Sequence, residues 1–347
     1  MIDHIEHLED LIFLDPTLLR RLCLVKNKSC TVKYDGRPSV VFGIKNTKHF
    51  VGTKSVLNKI SPIVCYSHDD IESHYHDKPD LAKRLKVLFN AFNVNRFINN
   101  SDRVYQGDFL FLPEDLMIEN VDGTDMYTFT PNVIKYAIHP HTKETHIGGI
   151  SIHSKTVSDE APATMFSFDV PIGFWTPKID VRINGDIPTE RFFKNTLDIF
   201  DLDVRETSYQ IMSMEGIPVY LKRFFSYCVR ESVDRTYDNF VDFVSTIKQK
   251  EIDSVKTTTA KQRKTDTKVS LLMQISTHRQ SIQSILKAHA EITLLKNEYI
   301  RHLDQISKTS DVRVWGGHEG YVFNVYPNVV KLVDRNRFTA LNFEKYK

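Results

Sequence analysis

At 347 residues the chain is long enough to bury one large core or two ordinary ones, and 41% hydrophobic with 26% charged residues excludes disordered and fibrous classes. A formal net charge of +2 excludes a global field for nucleic acid or membrane, so any basic binding surface must be local. Cys23, Cys30, Cys65 and Cys228 form no CxxC pair, which speaks against a disulfide scaffold or a structural zinc site and fits a reducing compartment.

The opening MIDHIEHLEDLIFLD is acidic ahead of a short apolar run, without the basic region or cleavage site of a signal peptide. No apolar run in the sequence approaches bilayer length, and the chain reads as cytoplasmic. Ile5, Leu8, Ile12, Leu14, Leu18, Leu19 and Leu22 recur at helical intervals, with Asp15-Pro16 as a break and restart. From 30 to 66 the runs CTVKY, PSVVFGI, HFVGT and SPIVCY predict strands separated by turns. A helix is predicted over 77–97, with Leu81, Leu85, Leu88, Phe89 and Phe92 on one face. RVYQGDFLFL, YTFTPNVIKYAIHP and HIGGISIHS continue the sheet, and KIDVRI and TERFFKNTLDIF predict a strand and a helix.

SVDRTYDNFVDFVSTIKQKEI is helical in pattern, while SVKTTTAKQRKTDTK, 254–268, is basic and aperiodic and reads as an exposed loop. Over 269–306 a near-heptad apolar repeat predicts one long amphipathic helix, which packs on its own domain or serves a homo-oligomer or helical partner. VRVWGGHEGYVFNV and NVVKLVD predict a hairpin around Tyr326-Pro327-Asn328. The order gives an α+β chain: an N-terminal helical segment (1–30), an antiparallel-sheet core (31–184), a helical insertion (185–310) and core-completing C-terminal strands (311–347).

Lys33-Tyr34-Asp35-Gly36 places a lysine at a strand end, with a carboxylate two residues on and a glycine that permits a tight turn. A lysine amine attacks electrophiles only when deprotonated, so it needs burial or neighbouring charges to act. By itself the tetrapeptide reads first as a β-turn with a surface lysine. VYQGDFLF, 104–111, carries Asp108 at the end of a Gly-Asp pair. FTPNVIKYAIHP carries Tyr136, HEGYVF carries Glu319-Gly320, and NVVKLVD carries Lys331.

In that order these segments resemble the motifs of the covalent nucleotidyltransferases, the superfamily of ATP-dependent DNA and RNA ligases and mRNA capping enzymes. The resemblance implies a ligase-type adenylation fold in which Lys33 forms a lysyl-AMP with ATP and Mg²⁺ or Mn²⁺. It implies Asp35, Gly36, Arg37, Lys54, Asp108, Tyr136 and Lys331 around the nucleotide, Tyr136 as the ring stacked on adenine, and Glu319 with Asp35 at the metal. It further implies a nucleic acid partner with 5′-phosphate and 3′-hydroxyl ends, RNA ahead of DNA. The chain departs from the family in three places: Asp108 replaces the usual glutamate, Lys54 stands for arginine, and Val333 stands for a second lysine. The departure at Val333 implies either weakened adenylation or a shift of that work to Lys45, Lys54, Arg335 or Arg337. Sixteen residues after Lys331 leave no room for an OB-fold, which points to a compact enzyme similar to some phage RNA ligases. The alternative is a catalytically impaired ligase-like domain that binds nucleic acid or serves assembly.

HDDIESHYHD, 68–77, and HPHTKETH, 139–146, gather ligand types for a transition metal but read as solvated turns. Trp175 and Trp315 read as packing residues, with a stacking platform as the alternative. Phosphate-loop, dinucleotide, zincin and hydrolase signatures are absent from the sequence.

Overall fold

The computed structural model describes residues 5–24, 29–57, 60–94, 104–138, 149–156, 165–172, 187–307, 312–315, 319–325 and 328–339. The fold is α+β, with antiparallel sheets and, among the described residues, one parallel strand pair. KIDVRI, HPHTKETH and Trp175 lie outside the described residues.

The N-terminal segment corrects its expectation. Glu6–His7 is a short strand, β1, followed by a 3-10 turn over Leu8–Asp10 and by helices α1 (Leu11–Leu14) and α2 (Pro16–Leu24). Asp15-Pro16 does separate the two helices, since proline cannot donate into the preceding turn. The first strand exists because a partner edge is offered to it: β1 runs parallel to β13 (Asn328–Leu332), with His7 opposite Lys331.

That edge closes a four-stranded sheet. β13 pairs with β12 (Gly320–Val325), which pairs with β2 (Ser29–Lys33), so strands from both ends of the chain lie side by side. A second sheet contains β3 (Ser39–Lys45), β4 (Lys48–Thr53), β5 (Val104–Phe111), β9 (Gly149–Thr156) and β10 (Met165–Ile172). A third contains β6 (Met117–Val121), β7 (Thr124–Phe129), β8 (Lys135–Ile138) and β11 (Val312–Trp315). SPIVCY is not a strand; only Cys65 bridges to Val51, because the proline and the turns around it interrupt a ladder.

HDDIESHYHD is largely helix: α3 (His68–Tyr75) starts at Ser67, whose side chain accepts from Asp70 N, and buries Ile71 and Tyr75. It leads into α4 (Pro79–Val94), and both helices pack a core with Val40, Phe42, Val51 and Phe109 of the second sheet.

Six helices occupy 187–307: α5 (Ile187–Ile199), α6 (Leu202–Ser213), α7 (Ile217–Glu231), α8 (Tyr237–Asp253), α9 (Thr258–Thr277) and α10 (Arg279–Ser307). The segment expected as a loop at 254–268 is mostly α9, started by the Thr257 side chain accepting from Ala260 N. The absence of an apolar period there reflects a helix exposed along its first turns rather than a missing helix. The single helix expected over 269–306 is broken at His278, between α9 and α10. On α10, Ile282, Ile285, Ile292 and Leu303 are fully buried against the chain itself, so this face is taken by intramolecular packing and is not offered to an oligomer. One core joins α1, β2, β8, β12, β13 and these helices, which ties the helical block to the strands on which it sits.

Candidate functional site

The first and third sheets and the second meet at the turn after β2. Antiparallel pairing sets Lys33 opposite Gly320, which brings Glu319 beside it: Lys33 Nζ donates to Glu319 Oε2 at 2.7 Å. The two side chains are only 18% and 13% exposed, so the pair is shielded from bulk water. Lys331 enters from the strand on the other side of β12, two positions removed in the ladder, as Val322 pairs with Lys331 and Gly320 with Lys33. Burial pushes the Lys331 ammonium down to about 8; the Lys33 charge adds to this and Glu319 opposes it. At neutral pH it is still mostly protonated.

The turn itself is held from beneath. Asp35 N donates to Tyr136 Oη at 2.8 Å, and Asn132 Nδ2 donates to Asp35 Oδ2 at 2.9 Å. Burial raises the Asp35 carboxyl above its ordinary value, and the negative charge of Glu319 raises it further. Asp35 and Glu319 offer carboxylate oxygens, the ligand type that a hard divalent ion takes.

Gly36 lies against β5, where an added Cβ would fall 2.8 Å from Asp108 Cβ and from Phe109 O. The glycine is required by this close approach. Arg37 N then donates to Phe109 O, and Ser39 pairs with Asp108, so Asp108 is set just behind the turn and its charge acts on Asp35.

Lys33, Asp35, Glu319 and Lys331 are thus brought to one place, with Gly36 and Asp108 adjoining. Arg37 is exposed and contributes its backbone to the turn. Lys54 is exposed in a 3-10 turn directly after β4, whose last residue pairs with Val40, so it stands at the same sheet end as Asp108. Tyr136 departs from its expected use as a stacking ring. It is fully buried, with its ring centroid 5.0 Å from that of Tyr34 and 5.6 Å from that of Phe129, and its work is to hold the backbone of Asp35. A Tyr136→Phe variant is expected to lose about 1–3 kcal/mol of stability, because the Asp35 amide loses its acceptor. Urea unfolding checks this, and an unchanged midpoint would mean that water replaces the hydroxyl.

Sequence reasoning missed the polar network behind the pair. Lys296 Nζ donates to Glu9 Oε1 at 2.7 Å and to Val333 O at 2.6 Å. His289 Nε2 lies 3.1 Å from Asp10 Oδ1, while Arg335 pairs with Asp10 through Nη2 and with Glu9 through Nε at 3.4 Å. Burial would raise Asp10, but the His289 hydrogen bond and the Arg335 charge outweigh it and hold the carboxyl at about 2. Glu9, Asp10 and His289 stand close enough to share a metal ion. Their two carboxylates are already matched by Lys296 and Arg335, and we read the group as an ion-pair lock between the N-terminal segment, α10 and the end of β13. The sequence held a signal for it: Glu9 and Asp10 interrupt an apolar run, and His289 and Lys296 are seven residues apart on the apolar face of a helix.

Among the described residues no helix is long and apolar enough to cross a membrane. No curated protein and no solved structure matches the chain. A family model, however, matches residues 3–347, nearly the whole length. The chain belongs to this family, a family of unknown function (DUF6267).

Proposed function

We propose that the protein is an ATP-dependent nucleotidyltransferase that joins polynucleotide ends, RNA ahead of DNA, through a lysyl-AMP on Lys33. The observation that carries the reading is the 2.7 Å contact between Lys33 Nζ and Glu319, residues 286 apart in sequence, with Lys331 and Asp35 beside them. A nucleophilic lysine needs a nearby acceptor for its proton, a cation for the phosphate and carboxylates for a metal, and these four residues supply all three.

In the first step Lys33 Nζ, having given up a proton, attacks the α-phosphorus of ATP. A P–N bond forms, the bond to the bridging oxygen breaks, and pyrophosphate leaves with that electron pair. Glu319 accepts a hydrogen bond from Nζ and offers an acceptor for the proton. Lys331 stabilises the charge that grows on the phosphate oxygens. Asp35 and Glu319 would hold Mg²⁺, which when bound neutralises phosphate charge and assists the departure of pyrophosphate. Tyr136 and Asn132 keep Asp35 in place. AMP then passes to a 5′-phosphate, and a 3′-hydroxyl displaces it.

The test is incubation with α-labelled ATP and Mg²⁺. Wild type is expected to give a labelled band stable to denaturation, and Lys33→Ala none; an unlabelled wild type ends the proposal. One observation favours a second reading, a ligase-like domain that binds nucleic acid without self-adenylation. Val333, where the resembling family has a second lysine, is 2% exposed and packed into the core with its carbonyl on Lys296. Binding of RNA by an unlabelled wild type would select that reading.

A further inference from the structure

Lys331 and Glu319 also line one wall of a cavity of about 410 Å³, a volume usual for a small-molecule site. Its other walls come from parts of the chain that carry none of the nucleotidyltransferase-like motifs. α7 contributes Lys222, Ser226 and Arg230, β1 contributes Glu6 and His7, and the helical turn at 335–339 contributes Arg335.

The charges around this space do not cancel. Each acid is already engaged: Glu6 with Lys222 at 2.6 Å, Asp10 with Arg335 and His289, and Glu319 with Lys33. Lys331, partly buried, makes no ion pair or side-chain hydrogen bond among the described residues. Arg335 Nη1 and His7 Nδ1 are buried without a partner. Arg230 stands exposed at the rim. Buried donors that lack acceptors carry a desolvation cost, larger when charged, which an oxyanion entering the cavity removes. Burial, with the charges of Lys331 and Arg335 next, holds His7 neutral. It therefore offers a hydrogen bond without adding a charge. The guanidinium of Arg335 and that of Arg230 match phosphate oxygens in geometry.

We propose that this cavity binds a polyphosphate group, seated between Lys331, Arg335 and His7 on the strand side and Lys222 and Arg230 of α7. Part of the helical block is thereby assigned to ligand binding, with α7 as the wall that faces the strands. The inference shares Lys331 with the proposed active site and so rests in part on that reading, but it concerns a different wall and a ligand without a base. Two sources offer the same chemistry: a free condensed phosphate, or the phosphate tail of a nucleoside triphosphate.

The experiment is calorimetric titration of the full chain, in Mg²⁺-free buffer, with inorganic tripolyphosphate, ATP and AMP. Wild type is expected to bind tripolyphosphate. Arg230→Glu, on the exposed rim, is expected to weaken binding at least tenfold, whereas Lys261→Glu, the same charge change on the exposed start of α9, leaves it within twofold. Lys331→Met should abolish it, with far-ultraviolet circular dichroism confirming the fold. Tighter binding of ATP than of tripolyphosphate, with AMP unbound, assigns the cavity to a nucleotide tail; the reverse order assigns it to free polyphosphate. No binding by wild type, or equal loss in Arg230→Glu and Lys261→Glu, overturns the inference. Labelling with α-labelled ATP, run in parallel, separates the two ideas. A labelled protein that fails to bind tripolyphosphate keeps the active-site reading and loses this one, and the opposite pattern does the reverse.

Discussion

Lys296→Met is expected to lower the unfolding free energy by about 3–5 kcal/mol, measured by urea titration, because it leaves a buried charge without its partner. In the folded chain Lys296 is 0% exposed and gives one proton to Glu9 and another to the carbonyl of Val333. Methionine fills a similar volume but satisfies neither. Glu9, also 0% exposed, would keep only the longer contact to Arg335 at 3.4 Å. The double variant Glu9→Gln with Lys296→Met removes both members of the pair. It should recover a large part of the loss, since the costly element is the orphaned charge rather than the missing attraction. Additive losses in the two single variants and the double would show that the pair is not coupled. The lock also has a pH signature. Asp10 is held below its ordinary value of 3.8, at about 2, so its stabilising contribution is complete above that ordinary value and is lost as pH falls toward 2.

Gly320→Ala is expected to be at least as damaging, and to remove Lys33 labelling with it. Gly320 has a φ of +146°, a backbone region closed to side chains, and an added Cβ would lie 2.0 Å from the carbonyl oxygen of Leu332. Neither atom can move away cheaply, since Leu332 is paired across the hairpin with Tyr321. The strain of such a residue is about 1–3 kcal/mol before the clash is counted. The strand must shift, and Glu319 shifts with it away from Lys33. Soluble expression with normal labelling would show that the hairpin yields without moving Glu319. If the variant is insoluble, Glu319→Gln, which leaves the backbone alone, tests the same contact: a labelling rate within threefold of wild type would remove Glu319 from the proposed chemistry.

Much of this site was legible because its parts are short and local. A lysine before Asp-Gly and a Glu-Gly before an apolar run each mark a strand end, where side chains leave the ladder and become available, whereas the Gly-Asp pair lies within β5. Tyr136 shows the limit of such reading. Its place in an alternating strand is the same whether the ring faces a ligand or the interior, and only the packing of Tyr34 and Phe129 around it decides for the interior. The α9 segment failed for a related reason. Periodicity reports burial, and a helix mostly exposed along its first turns has no apolar period to report.

The sequence by itself determined the α+β class, most strands and helices, the break at Asp15-Pro16 and the candidate residues Lys33, Asp35, Glu319 and Lys331. The elements follow from propensity, alternation and turn chemistry within a few residues, and the candidate residues follow from motifs that, in their order, resemble those of the covalent nucleotidyltransferases. Tertiary structure alone decided that β1 adds to β13, that Glu9, Asp10, His289, Lys296 and Arg335 form one buried network, and that α7 walls a cation-lined cavity. The physical reason is distance along the chain. Lys296 and Glu9 are 287 residues apart, and a charged residue on an apolar face has no reading until its partner's position is fixed by the packing of every element between them.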